Sequence, residues 1–223
     1  MSVISMMLHP ERADSHRLAA ELADHLISEG NDVRLSEPEA TAIKKPELGC
    51  ALEMLADSVD LAVSIGGDGT MLRTFERVAR QGIPVLGVNV GDLGYLTEFE
   101  ADEAKEAIEA ALNSALPVEE RLMVESRIER ANGQNDGTWT GLNEAVLEKK
   151  SQGHTVRLEV TIDGSAFATY AGDGLIVSTP TGSTAYNLSA RGSIVAPTHS
   201  SLQLTPVAPH MLFDRSLVLR PDT

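Results

Sequence analysis

Strand and helix signals alternate over residues 1–116, and short period-two runs replace them over 117–223; together they predict two unlike domains. The first is an α/β domain with a mainly parallel, Rossmann-like sheet, and the second is all-β and sandwich-like. The period changes near Pro117. A length of 223 residues suits one large domain or two modest ones, and 42% hydrophobic with 23% charged residues is a globular composition.

In the first half, "VISMML" is a short apolar strand. "SHRLAAELADHLISEG" puts Leu18, Ala19, Leu22, Leu26 and Ile27 on one helical face and stops at Gly30. "DVRLS" reads as a strand. "PELGCALEMLAD" repeats the helical spacing through Leu48, Ala51, Leu52 and Leu55, with Cys50 expected in the core beneath that helix. "VDLAVSI" is a continuous apolar run, as in strands buried on both faces. "MLRTFERVARQG" follows as a helix, with Met71, Leu72, Phe75, Val78 and Ala79 on one face and Gly82 as its stop. "IPVLGVNVG" is another buried strand and "DEAKEAIEAALNSAL" another helix. That alternation implies a parallel sheet with helices on both faces.

Past Pro117 the pattern shortens. "RLMVESRIER" alternates through Leu122, Val124, Ser126 and Ile128, and "NGQNDG" is turn material. "TVRLEVTIDGSAFATY" is two alternating runs joined by Asp163-Gly164, a two-residue hairpin signal. "GLIVST", "SIVAP", "LQLTPVAP" and "SLVLRP" extend the series of short strands.

The formal charge of −15, from 33 acidic against 18 basic residues, argues against nucleic acid or an anionic membrane as partner, since both need a basic footprint. Any phosphate must then be held by local donors: backbone amides, helix N-termini or Mg²⁺. No stretch approaches the roughly 18 apolar residues of a membrane span. The opening "MSVISMMLHPER" lacks the order of a signal peptide, and Cys50 as sole cysteine rules out an internal disulfide or a Cys-based zinc site. A reducing cytoplasm is the expected location. His9, His16, His25, His199 and His210 show no ligand spacing, so no metal ligands are assigned.

"GGDGT", Gly66 to Thr70, lies between a buried strand and an amphipathic helix, in the kind of loop where open α/β sheets bind ligands. Gly66, Gly67 and Gly69 allow close backbone approach and positive φ, and the helix start offers amides to an anion. With Thr70 they form a phosphate loop matching neither G-x-x-x-x-G-K-[ST] nor G-x-G-x-x-G. Asp68 sits among them although a carboxylate repels phosphate. It belongs there if it holds Mg²⁺ or accepts a proton from an attacking hydroxyl, both of which are phosphoryl-transfer roles. An ordinary turn is the plain alternative, since Asp136, Asp163 and Asp173 also precede glycine.

"GGDGT", "LNEAVL" at 142–147 and "GDGLIVSTPTGSTAYNLSA" at 172–190 together resemble the NAD kinase family, and "VLGVNVGDLGYLTEF" at 85–99 is similar to its members. Diacylglycerol-type lipid kinases and phosphofructokinases share only the glycine-aspartate loop. The resemblance implies transfer of the terminal phosphate of ATP, or of another phosphoryl donor, to the 2′-hydroxyl of the adenosine ribose of NAD. It implies Mg²⁺ or another divalent cation, and a homodimer or homotetramer built through the β-rich domain.

Residue by residue, the resemblance makes Asp68 the acceptor of the hydroxyl proton, with Gly69 beside it and Arg73 in the following helix turned to a phosphate. Asn143 and Glu144 are implied dinucleotide contacts, Glu144 accepting from ribose hydroxyls; a solvated strand end is the plain alternative. Thr184, Ala185, Tyr186, Asn187, Leu188 and Ser189 form the implied dinucleotide-contacting run, with the Tyr186 ring available for stacking. His154, Ala171, Asp173 and Ala208 are further implied contacts, Ala208 on the nicotinamide side.

Two departures stand out. "SARGSI" replaces the family's "SAGGPI", so Arg191 stands for a glycine; positive φ there would strain it, and its side chain could reach a phosphate. Ala171 stands where many relatives carry an arginine, so Arg73 or Arg191 would have to supply the missing cation. The chain also stops at "LVLRPDT", before the family's closing strands, which makes a catalytically weak NAD/NADP-binding protein the alternative to an active kinase.

Overall fold

A computed structural model describes residues 1–91, 94–151 and 153–223. The chain divides into two compact units, Met1–Val118 and Glu119–Thr223.

The first unit runs β1 (Val3–Leu8), α1 (Ala13–Ser28), β2 (Asp32–Ser36), α2 (Glu37–Ala42), β3 (Gly49–Cys50), β4 (Leu61–Gly66), α3 (Asp68–Val78), β5 (Val85–Asn89), β6 (Phe99–Glu100) and α4 (Ala104–Leu112). Its six strands make one parallel sheet in the order β3-β2-β1-β4-β5-β6. The chain steps outward from β1 to β3, then returns to the other side of β1, so the loops after β1 and β4 part and leave a crevice at the strands' carboxyl ends. Alternate strand residues serve opposite faces. Ile4, Met6, Val63 and Ile65 pack with Leu22 and Leu26 of α1 and Ile108 of α4. Met7 and Ala62 pack with Val78 of α3 on the other face.

Three expectations for this unit need correction. In α1, Ile27 is 43% exposed and Ala23 takes its place in the core. The helix expected over "PELGCALEMLAD" is absent: Pro46–Leu48 and Leu52–Met54 are single 3-10 turns on either side of β3. Gly49 and Cys50 pair in parallel with Leu35 and Ser36, which satisfies backbone groups that a glycine-weakened helix would hold less well. Cys50 is therefore a half-buried edge residue, and Leu52 is 55% exposed. The α-helix forms earlier, over Glu37–Ala42, where Ser36 and Glu39 make a capping box. In α3 the buried face is Thr70, Met71, Thr74 and Val78, while Leu72 and Phe75 are half-buried.

The second unit contains β7 (Val124–Glu129), β8 (Asn135–Gly141), β9 (Glu144–Glu148), β10 (Val156–Ile162), β11 (Ser165–Gly172), β12 (Gly174–Ser178), α5 (Tyr186–Ser189), β13 (Leu202–Val207) and β14 (Leu217–Leu219). An antiparallel sheet has the order β14-β13-β12-β9, and β7-β8 and β10-β11 are separate hairpins. Asp163 (φ +48°) and Gly164 (φ +76°) make the expected tight turn between β10 and β11. Leu158 and Tyr170 of that hairpin pack with Leu175, Leu204 and Leu217 of the four-stranded sheet.

"SIVAP" is not a strand. The Gln203 side chain accepts from the Ser193 amide at 3.1 Å and donates to its carbonyl at 3.0 Å, taking the groups a ladder would use. The polar "STPTGSTAYNLS" segment is a 3-10 turn at Thr181–Thr184 followed by the single turn of α5.

Candidate active site

At the point where the sheet order reverses, a cavity of about 480 Å³ opens beside "GGDGT". His9, Pro10 and Arg12 border it after β1, Gly67 to Thr70 and Arg73 after β4, and Val90 and Gly94 after β5. Asp68 is the first residue of α3, with Gly67 as an N-cap that offers no side chain. The Thr70 amide bonds the Gly67 carbonyl at 2.9 Å, so the first turn is closed by backbone and presents its leading amides outward. Gly66 ends β4 against that turn: a Cβ there would lie 2.3 Å from Thr70 Oγ1. Gly67 and Gly69 border open space. The positive φ that glycine permits is used at none of the three; the loop uses their lack of a side chain.

The Asp68 carboxylate is held by the loop after β5. Oδ1 accepts from the Tyr95 and Leu96 amides, both at 3.0 Å, and Oδ2 also meets the Tyr95 amide at 3.1 Å. Gly94 makes this approach possible, because a Cβ on it would fall 2.5 Å from Asp68 Oδ1. Two arginines flank the same cavity. Arg73 Nη2 donates to the Leu8 carbonyl at 3.1 Å, and Arg12 Nη1 donates to the Val90 carbonyl at 3.0 Å. Arg12, Gly94 and the amides of Tyr95 and Leu96 were missed in the sequence. Position was one signal, since "HPER" and "VGDLGYL" both follow strands of the parallel sheet, and the family resemblance over 85–99 was a second for Gly94 to Leu96.

The second unit gathers part of the other implied set. Asn143 precedes β9, and its carbonyl accepts the Thr179 amide at 2.8 Å. Glu144, the first residue of β9, has a buried Oε2 without a hydrogen-bond partner among the described residues; burial raises its pKa above the usual carboxylate value. Asp173 follows β11 and forms an ion pair with Lys149 at 2.5 Å, and β9 ends next to Lys149 at Glu148. The Tyr186 hydroxyl donates to Glu148 Oε1 at 2.7 Å; that bond, then burial and the charges of Glu148 and Asp173, raises the phenol pKa.

Tyr186, Ser189 and Ala208 border one cavity of about 350 Å³, together with Arg191 and Asp214. Asn187 turns the other way: it is buried, and its Oδ1 accepts from Thr205 Oγ1 at 2.6 Å. Ala185 is half-buried at the start of α5, and Thr184 and Leu188 are exposed outside that cavity. Ala171 lies in β11 opposite Arg157, its carbonyl accepting the His210 amide at 2.7 Å. His154 is exposed ahead of β10 and borders neither cavity. Sequence reasoning did not find Glu148, Lys149 or Asp214.

Residues 11–116 match the ATP-NAD kinase N-terminal domain, and residues 142–223 match the ATP-NAD kinase C-terminal domain. The NAD kinase of Moorella thermoacetica is 41% identical over 219 residues, covering 98% of this chain and 70% of the relative. That of Symbiobacterium thermophilum is 36% identical over 222 residues, covering 100% of this chain and 78% of the relative. Yeast NADH kinase, solved with NADH, superposes with a TM-score of 0.91 at 26% identity, covering 99% of this chain and 70% of that one. An NAD kinase from Archaeoglobus fulgidus, solved with ATP, shares the fold with a TM-score of 0.73 at 24% identity, covering 99% and 77%. Matched in both halves and aligned with kinase relatives along its length, the chain belongs to the NAD kinase family.

Proposed function

We infer that the chain is an NAD kinase that transfers the terminal phosphate of ATP to the 2′-hydroxyl of the adenosine ribose of NAD, giving NADP. One observation carries the assignment of Asp68: its carboxylate borders the cavity at the uncapped start of α3, with Oδ1 fixed by two backbone amides. A carboxylate so held keeps lone pairs on Oδ2 for the acceptor hydroxyl, while the helix amides, Arg12 and Arg73 favour phosphate. Asp68 orients that hydroxyl and takes up its proton as the phosphoryl group moves.

Among the described residues no three His, Cys, Asp or Glu side chains converge on a metal site. Magnesium fits such a cavity nonetheless, because it is commonly held by substrate phosphates and one or two carboxylates. The ion would be held chiefly by substrate phosphates and water, meeting Asp68 through a bound water, and would neutralise charge on the transferring group. In the second unit, Glu144 accepts from a ribose hydroxyl and Tyr186 stacks on a ring of the dinucleotide. We read this unit as a two-layer sandwich, and as the surface through which the chain forms a homodimer or homotetramer in the cytoplasm. Exposed Trp139, Val146, Leu147 and Val218 support that assembly.

The test is formation, with ATP and Mg²⁺, of NADP from NAD or of NADPH from NADH, beside a mass measurement in solution. Asp68→Asn is expected to lose roughly 100-fold or more in kcat, the scale of a lost general base, with an unchanged melting temperature. Full activity in that variant refutes the role of Asp68, and no turnover by the wild type refutes the kinase.

A further inference from the structure

The chain leaves α5 through a turn at Arg191, whose φ of +69° lies in the left-handed region where a Cβ is crowded. This conformation is imposed from both sides. The Arg191 amide bonds the Leu188 carbonyl at 3.0 Å, and the Gly192 amide bonds the Asn187 carbonyl at 2.7 Å. Next in sequence, Ser193 is clamped by buried Gln203, and buried Asn187 is tied through Thr205 to Ser216 at 2.6 and 2.7 Å. Glycine would take up this position without strain, whereas arginine cannot. A strained backbone fixed by its surroundings directs attention to what the residue faces.

The Arg191 guanidinium is exposed and has no hydrogen-bond or ion-pair partner among the described residues. It borders the cavity shared by Tyr186, Ser189, Ala208 and Asp214. We propose that Arg191 is a substrate-binding residue that holds the diphosphate bridge of the dinucleotide in this cavity, a proposal that rests on the kinase reading above. A guanidinium offers a planar fork of donors that matches two phosphate oxygens at once. Ser189 adds a neutral hydroxyl, and Pro206 and Val207 form an apolar wall suited to a ring. Asp214 on the same rim disfavours a more densely charged triphosphate, which leaves the singly charged phosphates of a dinucleotide as the better match.

Three variants separate strain from binding. Arg191→Ala keeps the Cβ and drops the charge, Arg191→Gly drops both, and Arg191→Lys keeps both without the fork. Direct titration is expected to show NAD and NADP binding weakened alike, roughly tenfold, in the alanine and glycine variants, and less in the lysine variant. KM for NAD should rise with kcat at saturation within twofold of wild type. The glycine variant alone should melt higher, by roughly 2–4 °C. Unchanged NAD affinity in the alanine and glycine variants overturns the proposal. So does a loss confined to NADP, which would move the contact to the 2′-phosphate. A glycine variant that melts no higher removes the strain. If the wild type itself neither binds NAD nor forms NADP, the kinase reading fails instead.

Discussion

Glu144 enters β9 with one carboxylate oxygen shut away from water and from every described donor, and desolvation raises its pKa. A raised acid favours the folded state while protonated. Its favourable contribution is complete below the ordinary glutamate value near ~4.3 and is lost as pH rises through the elevated folded value. Ionising this side chain in the folded protein therefore costs stability, and a ribose hydroxyl donating to it would relieve that cost. Glu144→Gln is expected to melt above wild type at pH 7 and level with it near pH 4, while KM for NAD rises. Thermal melts at both values, beside initial rates, check the pair of outcomes.

Among the elements, α5 is too short to persist by itself, since a single turn does not recover its nucleation free energy. Side chains at consecutive positions fasten it to two strands: Tyr186 to Glu148 at the end of β9, and Asn187 to Thr205 of β13. Losing the first fastening frees the ring. Glu148→Ala should raise KM for NAD about fivefold, near 1 kcal/mol for a partly exposed bond, with little change in kcat. Glu148→Gln keeps an acceptor and should behave like wild type. Titrating the phenol by its ultraviolet absorbance should return Tyr186 toward its ordinary pKa in the alanine variant. The same scale shows what a sequence reveals. "SIGGDGT" was legible because strand, turn and helix start are adjacent in the chain. The amides that fix Asp68 lie 27 and 28 residues away, and no local pattern announces them. β3 differs from its helical expectation for a related reason: its apolar spacing is helical, but the open edge of β2 decides its conformation. At Ser193 a single distant glutamine did the same to an expected strand.

For the molecule as a whole, a charge of −15 opposes the approach of anionic nucleotides, while Arg12, Arg73 and Arg191, which border the two cavities, would attract them only at short range. Added monovalent salt shortens the reach of the repulsion to a Debye length of about 8 Å at physiological strength. From very low ionic strength upward, kcat/KM for NAD should therefore rise before it falls; a steady decline from the first addition would show that the local cations dominate at every distance. The two units differ in another respect. The parallel sheet is sealed by helices on both faces, whereas the β-rich unit closes over a small nucleus at Tyr170, Leu175 and Leu204. Glu144, Tyr186 and Arg191 all belong to the unit with this thinner interior, so a dinucleotide bound through them would link nucleotide supply to the conformational integrity of that half. A cell short of dinucleotide would hold this polypeptide in its most vulnerable condition.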